Sequence, residues 1–194
     1  MPYIRLVEPD EVPPDIQKVF ESGEAQYGQV LNTWRAIAHN PEIFGSYLPY
    51  IRAIFAPGAL DQRIKDLSAV YVAILNHCRY TVSHRVYSAR QKNIPEQDMI
   101  GLLNIENHPY SPAEKAAFNY TYELTTQMTA VSYKDNKQAV SSPVLDELKR
   151  HFSDAEISEL TISVGLWNAL TRFHRVMDFE LDMPEPPREL DEVL

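Results

Sequence analysis

From Leu67 to Leu75 the sequence reads Leu-Ser-Ala-Val-Tyr-Val-Ala-Ile-Leu, a run with almost no polar face. Such a run must be covered on every side, as a core helix or as a central strand. Val70 to Leu75 is rich in β-forming residues. No other run in the chain reads as its pairing partner, however, and a lone strand leaves its backbone groups unsatisfied. A buried helix is therefore expected, capped at its start by Asp61. It ends at the polar pair Asn76-His77. Cys78, the only cysteine, follows at once. A second amphipathic run then carries Tyr80, Thr81, His84 and Arg85 and stops near Asn93-Ile94-Pro95.

The flanking segments carry helix punctuation on both sides of this core. Residues 1–12 read as an extended arm. Pro13-Pro14 opens a helix through Ile16, Val19 and Phe20, and Gly28 ends it. Leu31 to His39 is a short apolar piece that contains Trp34. Asn40-Pro41-Glu42 supplies an N-cap, a proline at the first helical position and an acid in the first turn. Ile43, Phe44, Tyr47, Leu48, Ile51, Ile54 and Phe55 then recur at helical spacing until Pro57-Gly58. Pro95 to Asp98 begins a short helix.

Ser111-Pro-Ala-Glu114 and Ser153-Asp-Ala-Glu156 are capping boxes. The first starts a helix through Phe118 and Tyr122. The second starts a long one with Ile157, Leu160, Val164, Trp167, Leu170, Phe173 and Met177 on its buried side. Residues 132–142 read as loop, and Ser142-Pro143 opens a helix to about His151. The expected architecture is all-α with about seven or eight helices and no sheet. It forms one domain over residues 1–183, followed by a Pro- and acid-rich tail at 184–194.

Composition narrows the function. The 194 residues carry a formal net charge of −9, which repels phosphate backbones and argues against nucleic-acid or anionic-membrane partners. One cysteine forms no intrachain disulfide. The N-terminus has no apolar signal core, and no run approaches the ~20 apolar residues of a membrane span. A cytoplasmic chain is expected. No Gly-rich phosphate loop and no metal-ligand spacing is present, so neither a metal nor a cofactor is expected. Exposed aromatics at Tyr110, Tyr120 and Tyr122, with the apolar face of the helix from Pro41, predict self-association.

The chemistry is expected at the helix junction. A thiol in a first helical turn sees unpaired N–H groups and the positive end of the dipole, both of which favour the thiolate. Counted from Cys78, steps of three, four and seven bring Thr81, Val82 and Arg85 to its face. His84 falls about a third of a turn away. Arg85 supplies a cation that either lowers the thiol pKa or holds a substrate carboxylate.

The pattern of Asp66, Asn76, Cys78, Tyr80 and His84-Arg85, followed by Ala89-Arg90 and Pro95, resembles the carboxymuconolactone decarboxylase family, which includes the alkylhydroperoxidase D-like proteins. Ala38-His-Asn-Pro-Glu42 resembles that family's stretch ahead of its apolar helices. Trp167-Asn-Ala-Leu-Thr-Arg-Phe173 resembles its C-terminal element. The resemblance covers roughly residues 30 to 183 and implies an alkylhydroperoxidase D-like helical fold that assembles as trimers or hexamers. It also marks what is missing. The peroxidase branch uses Cys-x-x-Cys with a later histidine and an upstream glutamate, and those positions here hold Cys78, Thr81, Arg85 and Asp66. The acid–base pair of the decarboxylase branch is replaced at Thr81 and Arg85.

Three readings follow. The first is a decarboxylase-like enzyme acting on a small anionic metabolite. Cys78, Asp66, Tyr80 and His84 move or orient protons, and Arg85, Thr81 and His77 hold the substrate. The second is a one-cysteine peroxidase. The third is a non-catalytic homo-oligomeric binding protein. A site between protomers would add Arg172 and His174.

Overall fold

The computed structural model describes residues 2–194. In chain order the α-helices are α1 (Pro14–Tyr27), α2 (Asn32–Ile37), α3 (Pro41–Phe55), α4 (Gln62–Leu75), α5 (Arg79–Gln91), α6 (Glu96–Gly101), α7 (Pro112–Thr126), α8 (Ser142–His151), α9 (Asp154–Met177) and α10 (Arg188–Asp191). Single 3-10 turns lie at Pro9–Glu11 and Leu102–Asn104. No strand occurs among the described residues, and three of the ten α-helices are of six residues or fewer. No helix among them is long and apolar enough to cross a membrane.

The continuous apolar run is the axis of the fold. Every residue of α4 from Ile64 to Ile74 is buried, and α5, α7 and α9 pack around it. Asp61 starts α4 by accepting the N–H groups of Arg63 and Ile64. Two charges share this burial. Lys65 is held by the Ala56 carbonyl at 2.8 Å and by the Glu159 carboxylate, and Asp66 is held by Lys92. Both capping boxes form as the sequence dictates, at Ser111/Glu114 and Ser153/Glu156.

A second apolar cluster joins the N-terminal helices. Val7, Ile16, Phe20, Ala38, Phe44 and Leu48 pack together, with the Phe20 and Phe44 rings edge to face at 5.9 Å. Gly23 sits where α1 meets α2. A Cβ there would stand 2.5 Å from Cζ3 of Trp34, so only glycine lets the indole lie flat against α1.

Three expectations change. Tyr110 and Tyr120 are buried within the protomer rather than exposed; only Tyr122 of that trio faces out. Tyr110 donates to the Asp98 carbonyl and Tyr120 bonds Thr161, which is why both turn inward. The long helix α9 buries Trp167, Leu170, Thr171 and His174, while Phe173 and Met177 are half-buried beside it. The stretch 184–194 packs back on the body. Leu190 is fully buried, Ser83 donates to the Pro184 carbonyl at 2.9 Å, and Arg79 bonds Asp191 at 2.6 Å.

Candidate functional site

Helices α4 and α5 run antiparallel about the turn at Asn76-His77-Cys78, and this decides which residues meet. His77 takes a left-handed conformation (φ 49°), which reverses the chain. Counted about residue 79, where α5 begins, Asp66 and Lys92 are equally spaced and stand level, so Asp66 meets the end of α5. Lys92 Nζ lies 2.7 Å from both of its carboxylate oxygens, and Gln62 donates to one at 3.1 Å. Cys78 lies at the other end of α4, roughly 15 Å along the axis at 1.5 Å per residue. Asp66 and Cys78 thus share no cavity.

A cavity of about 440 Å³ lies beside the family-like residues, between α1–α3 on one side and α5 and α9 on the other. Thr81, His84, Arg85 and Lys92 line it from α5, and Trp167 and His174 from α9. Thr33, Trp34, Tyr47, Arg52 and Phe55 close it from the N-terminal helices. Steps of three and four from Thr81, rather than from Cys78, bring His84 and Arg85 to one face. That is why His84 belongs to the site although it lies a third of a turn from the thiol. Among the described residues no Asp or Glu lines the cavity, whereas Arg52, Arg85 and Lys92 do. The wall is cationic in a chain of net charge −9.

Arg85 is the most exceptional group in this wall. Its guanidinium carbon lies 4.6 Å from the centre of the Phe55 ring and 4.4 Å from that of Trp167. Its Nε and Nη1 are sealed from water and have no hydrogen-bond partner. Burial lowers its pKa to about 10, against the supporting charge of Asp66. Asp66 is already engaged by Lys92. Two flanking π-faces stabilise the cation, yet unmade hydrogen bonds on a buried charge cost about 1–3 kcal/mol each. The guanidinium therefore stands without a dedicated protein anion.

Cys78 departs from the expected reactive thiol. It caps α5 at its N-terminus, but only 1% of it is exposed, among Ala36, Tyr80 and Phe179. Burial raises its pKa and outweighs the lowering influence of the Thr81 hydroxyl and N–H, the Arg175 charge and the Tyr80 N–H. Its sulfur bonds Thr81 Oγ1 at 3.0 Å, so Thr81 stands between the thiol and the cavity. Tyr80 is buried as well, and its hydroxyl is held by Thr33 and by Asp182. Burial raises the Tyr80 pKa well above the ordinary phenol value, which leaves it a proton donor. His77 points away from the cavity, exposed, with Nδ1 3.1 Å from the Val193 carbonyl oxygen. It does not serve as a substrate contact there.

His84 lines the cavity with Nε2 3.4 Å from Asp182 Oδ2, and its ring centre is 4.4 Å from that of Tyr80. Burial lowers its pKa, so it is a neutral base near pH 7. Residues that sequence reasoning placed elsewhere complete the group. His174 is buried in its own protomer and bonds Thr33 at 3.0 Å and Thr81 at 2.8 Å. Its position seven residues after Trp167 was the available signal, because that step stays on one helix face. Asp182 comes from the irregular segment after α9, where no periodicity marks it. Arg172 stays outside, bonded to the Asn168 carbonyl on an exposed face. Among the described residues, no group of three or more His, Cys, Asp or Glu side chains is arranged to hold a metal ion.

Residues 41–123 match the model of the carboxymuconolactone decarboxylase family. No relative is found among curated proteins. The apo structure of the debrominase Bmp8 is 19% identical and superposes with a TM-score of 0.78, covering 99% of this chain and 98% of that one. A cysteine-to-alanine variant of the same debrominase, in complex with 2,3,4-tribromopyrrole, is 18% identical with a TM-score of 0.78, over 99% and 97%. An uncharacterized peroxidase-related protein from Ralstonia eutropha JMP134, with an alkylhydroperoxidase AhpD core, is 17% identical with a TM-score of 0.77, over 98% and 94%. These likenesses establish the alkylhydroperoxidase-like fold. The matched segment supplies α4 and α5, while Thr33, Trp34, Trp167, His174 and Asp182 lie outside it.

Proposed function

Starting from a chain whose residues 41–123 are a carboxymuconolactone decarboxylase family segment within an alkylhydroperoxidase-like fold, we propose that it is an enzyme. Its substrate is a small anionic metabolite, on which it acts by acid–base chemistry. One observation carries this reading: the buried Arg85 guanidinium, two of whose N–H-bearing nitrogens have no partner, in the wall of a cavity without a single carboxylate. A bound carboxylate supplies the missing counter-charge, and charge-assisted bonds are the strong ones in a desolvated site. His84 exchanges a proton with the substrate, and Asp182 steadies the imidazolium that forms. Tyr80 and Thr33 hold Asp182 and His174 in place. Cys78 acts from behind the wall rather than as a nucleophile.

The cavity also suits a flat molecule. Trp34, Tyr47, Phe55 and Trp167 line it, and a volume near 440 Å³ is within the usual range for small-molecule sites. A neighbour of the same fold holds a substituted pyrrole, a ring of comparable size. The peroxidase reading is weaker, because Cys78 is buried and its pKa is raised, the opposite of an activated thiolate.

Intrinsic fluorescence tests the proposal directly. The chain has two tryptophans, Trp34 and Trp167, and both line the cavity. Small unsaturated and aromatic carboxylates should change this emission saturably, and their uncharged amides should not. Arg85→Gln should abolish the response. Equal binding of acids and amides would overturn the reading.

A further inference from the structure

A hydrogen-bonded path runs from Cys78 to the cavity wall, and its direction follows from the number of protons each group carries. Asp182 Oδ2 accepts the Asn32 N–H at 2.9 Å and the Tyr80 hydroxyl. That uses the one proton of Tyr80, so the Tyr80 oxygen accepts from Thr33 Oγ1 at 3.1 Å. The one hydroxyl proton of Thr33 is then used, so His174 Nε2, 3.0 Å away, is the donor to Thr33. A neutral imidazole with its proton on Nε2 has an accepting Nδ1. Thr81 Oγ1 is 2.8 Å from that Nδ1 and must donate to it. The last free proton is that of Cys78, whose S–H donates to Thr81 at 3.0 Å. Every donor points one way, from Cys78 toward Asp182. The burial of His174 holds its pKa well below the ordinary histidine value, consistent with the neutral tautomer.

We propose that this path is a proton relay that couples the buried thiol to the cavity at His84, with His174 and Asp182 among its proton carriers. In one shift the Cys78 proton passes to Thr81 and the Thr81 proton to His174 Nδ1. The Nε2 proton passes to Thr33, the Thr33 proton to Tyr80, and the Tyr80 proton to Asp182. Cys78 ends as a thiolate, Asp182 as an acid and His174 as its Nδ1–H tautomer. No heavy-atom bond changes, and nothing is oxidised or reduced. From Asp182 the next group is His84 Nε2, 3.4 Å away with no hydrogen bond formed, so this last transfer requires the two groups to close on each other, and His84 faces the cavity. The relay draws on α2, α5, α9 and the segment after α9, and three of its members, Thr33, His174 and Asp182, lie outside the family-matched segment. It is a property of the free protein and does not depend on which anion Arg85 binds.

Infrared spectroscopy reads it without an assay of activity. With one cysteine in the chain, the S–H stretch is a single assignable band, and its replacement by S–D in heavy water gives an exchange rate for a group that is 1% exposed. If the relay conducts, Thr81→Val and Tyr80→Phe slow this exchange by about tenfold or more, while Thr81→Ser, which keeps the hydroxyl, exchanges close to wild type. A purely structural role predicts the opposite sign, because a loosened variant opens more often and exchanges faster. Unchanged or faster exchange in both blocking variants would overturn the proposal. Should those variants fail to fold, ring nitrogen-15 shifts of His174 in the wild-type protein test the same chain. The Nε2–H tautomer supports it, and the Nδ1–H tautomer overturns it.

Discussion

The guanidinium carbon of Arg85 lies 4.4 Å from the centre of the Trp167 ring, so a cation whose Nε and Nη1 are sealed from water without a hydrogen-bond partner touches one of the two tryptophans in the chain. The contact ties the binding site to a built-in optical reporter. It also sets the cost of keeping Arg85 where it is.

Arg85→Met should separate binding from stability. Replacing an unsatisfied buried charge with an apolar side chain of similar length is neutral or stabilising, here by up to about 2 kcal/mol. The same change removes the anion's partner and should weaken carboxylate binding by about 100-fold. Denaturant melts and fluorescence titration on one preparation check both. A variant that lost stability and kept its affinity would show that Arg85 is structural.

Cys78 should be unreactive in the folded protein. It is buried, and burial raises its pKa. Thiol-directed reagents should label native protein at least about 100-fold more slowly than urea-unfolded protein, because reaction waits on local opening. Peroxide should leave most of it as free thiol under native conditions. Fast native labelling or sulfenic acid formation would restore the peroxidase reading.

Acid should destabilise the fold from an unusually high pH. His174 is buried and His84 largely so, its side chain 12% exposed, and desolvation lowers both pKa values from the ordinary 6.5. Asp182 and Arg85 act on His84, while His84 and Arg85 act on His174. The unfolded chain takes up protons near 6.5, where the folded chain does not. Stability from these two groups is therefore complete above about 6.5 and falls as pH drops below it. Urea melts between about pH 7.5 and about pH 5.5 should show this slope, and His174→Gln should reduce it. A flat profile over that interval would count against both buried neutral imidazoles.

Gly23→Ala should reach the cavity from behind. The added Cβ lies 2.5 Å from Cζ3 of Trp34, so the indole must move toward the space the ligand uses. Overpacking of this kind costs about 1–3 kcal/mol. The tryptophan emission should shift and carboxylate affinity should fall. An unaltered spectrum would mean that α1 moves instead of the ring.

The helices were legible because their punctuation is local. Asn40-Pro41, the two capping boxes and the Leu67–Leu75 run each name their own element, and all form as read. The site was half legible. Thr81, His84 and Arg85 share a helix face, and counting steps found them once the reference residue was correct. Asp66 misled because its sequence distance from Cys78 hides the antiparallel turn between them. The turn makes Lys92 its partner, and the equal spacing of Asp66 and Lys92 about residue 79 was readable. Asp182 carried no such mark. It lies in an irregular segment, and what places it is tertiary: the Tyr80 hydroxyl and the Asn32 N–H.

That placement has a consequence in time. Helices α1 to α5, which carry most of the cavity lining, are synthesised well before Asp182, which follows α9. A growing chain that has already packed α4 against α5 still has a Tyr80 hydroxyl with no carboxylate to receive its proton, and a His84 with no counter-charge. The scaffold can be assembled while the proposed site still lacks its carboxylate. That group arrives late, when the segment after α9 settles against Tyr80 on α5 and Asn32 on α2.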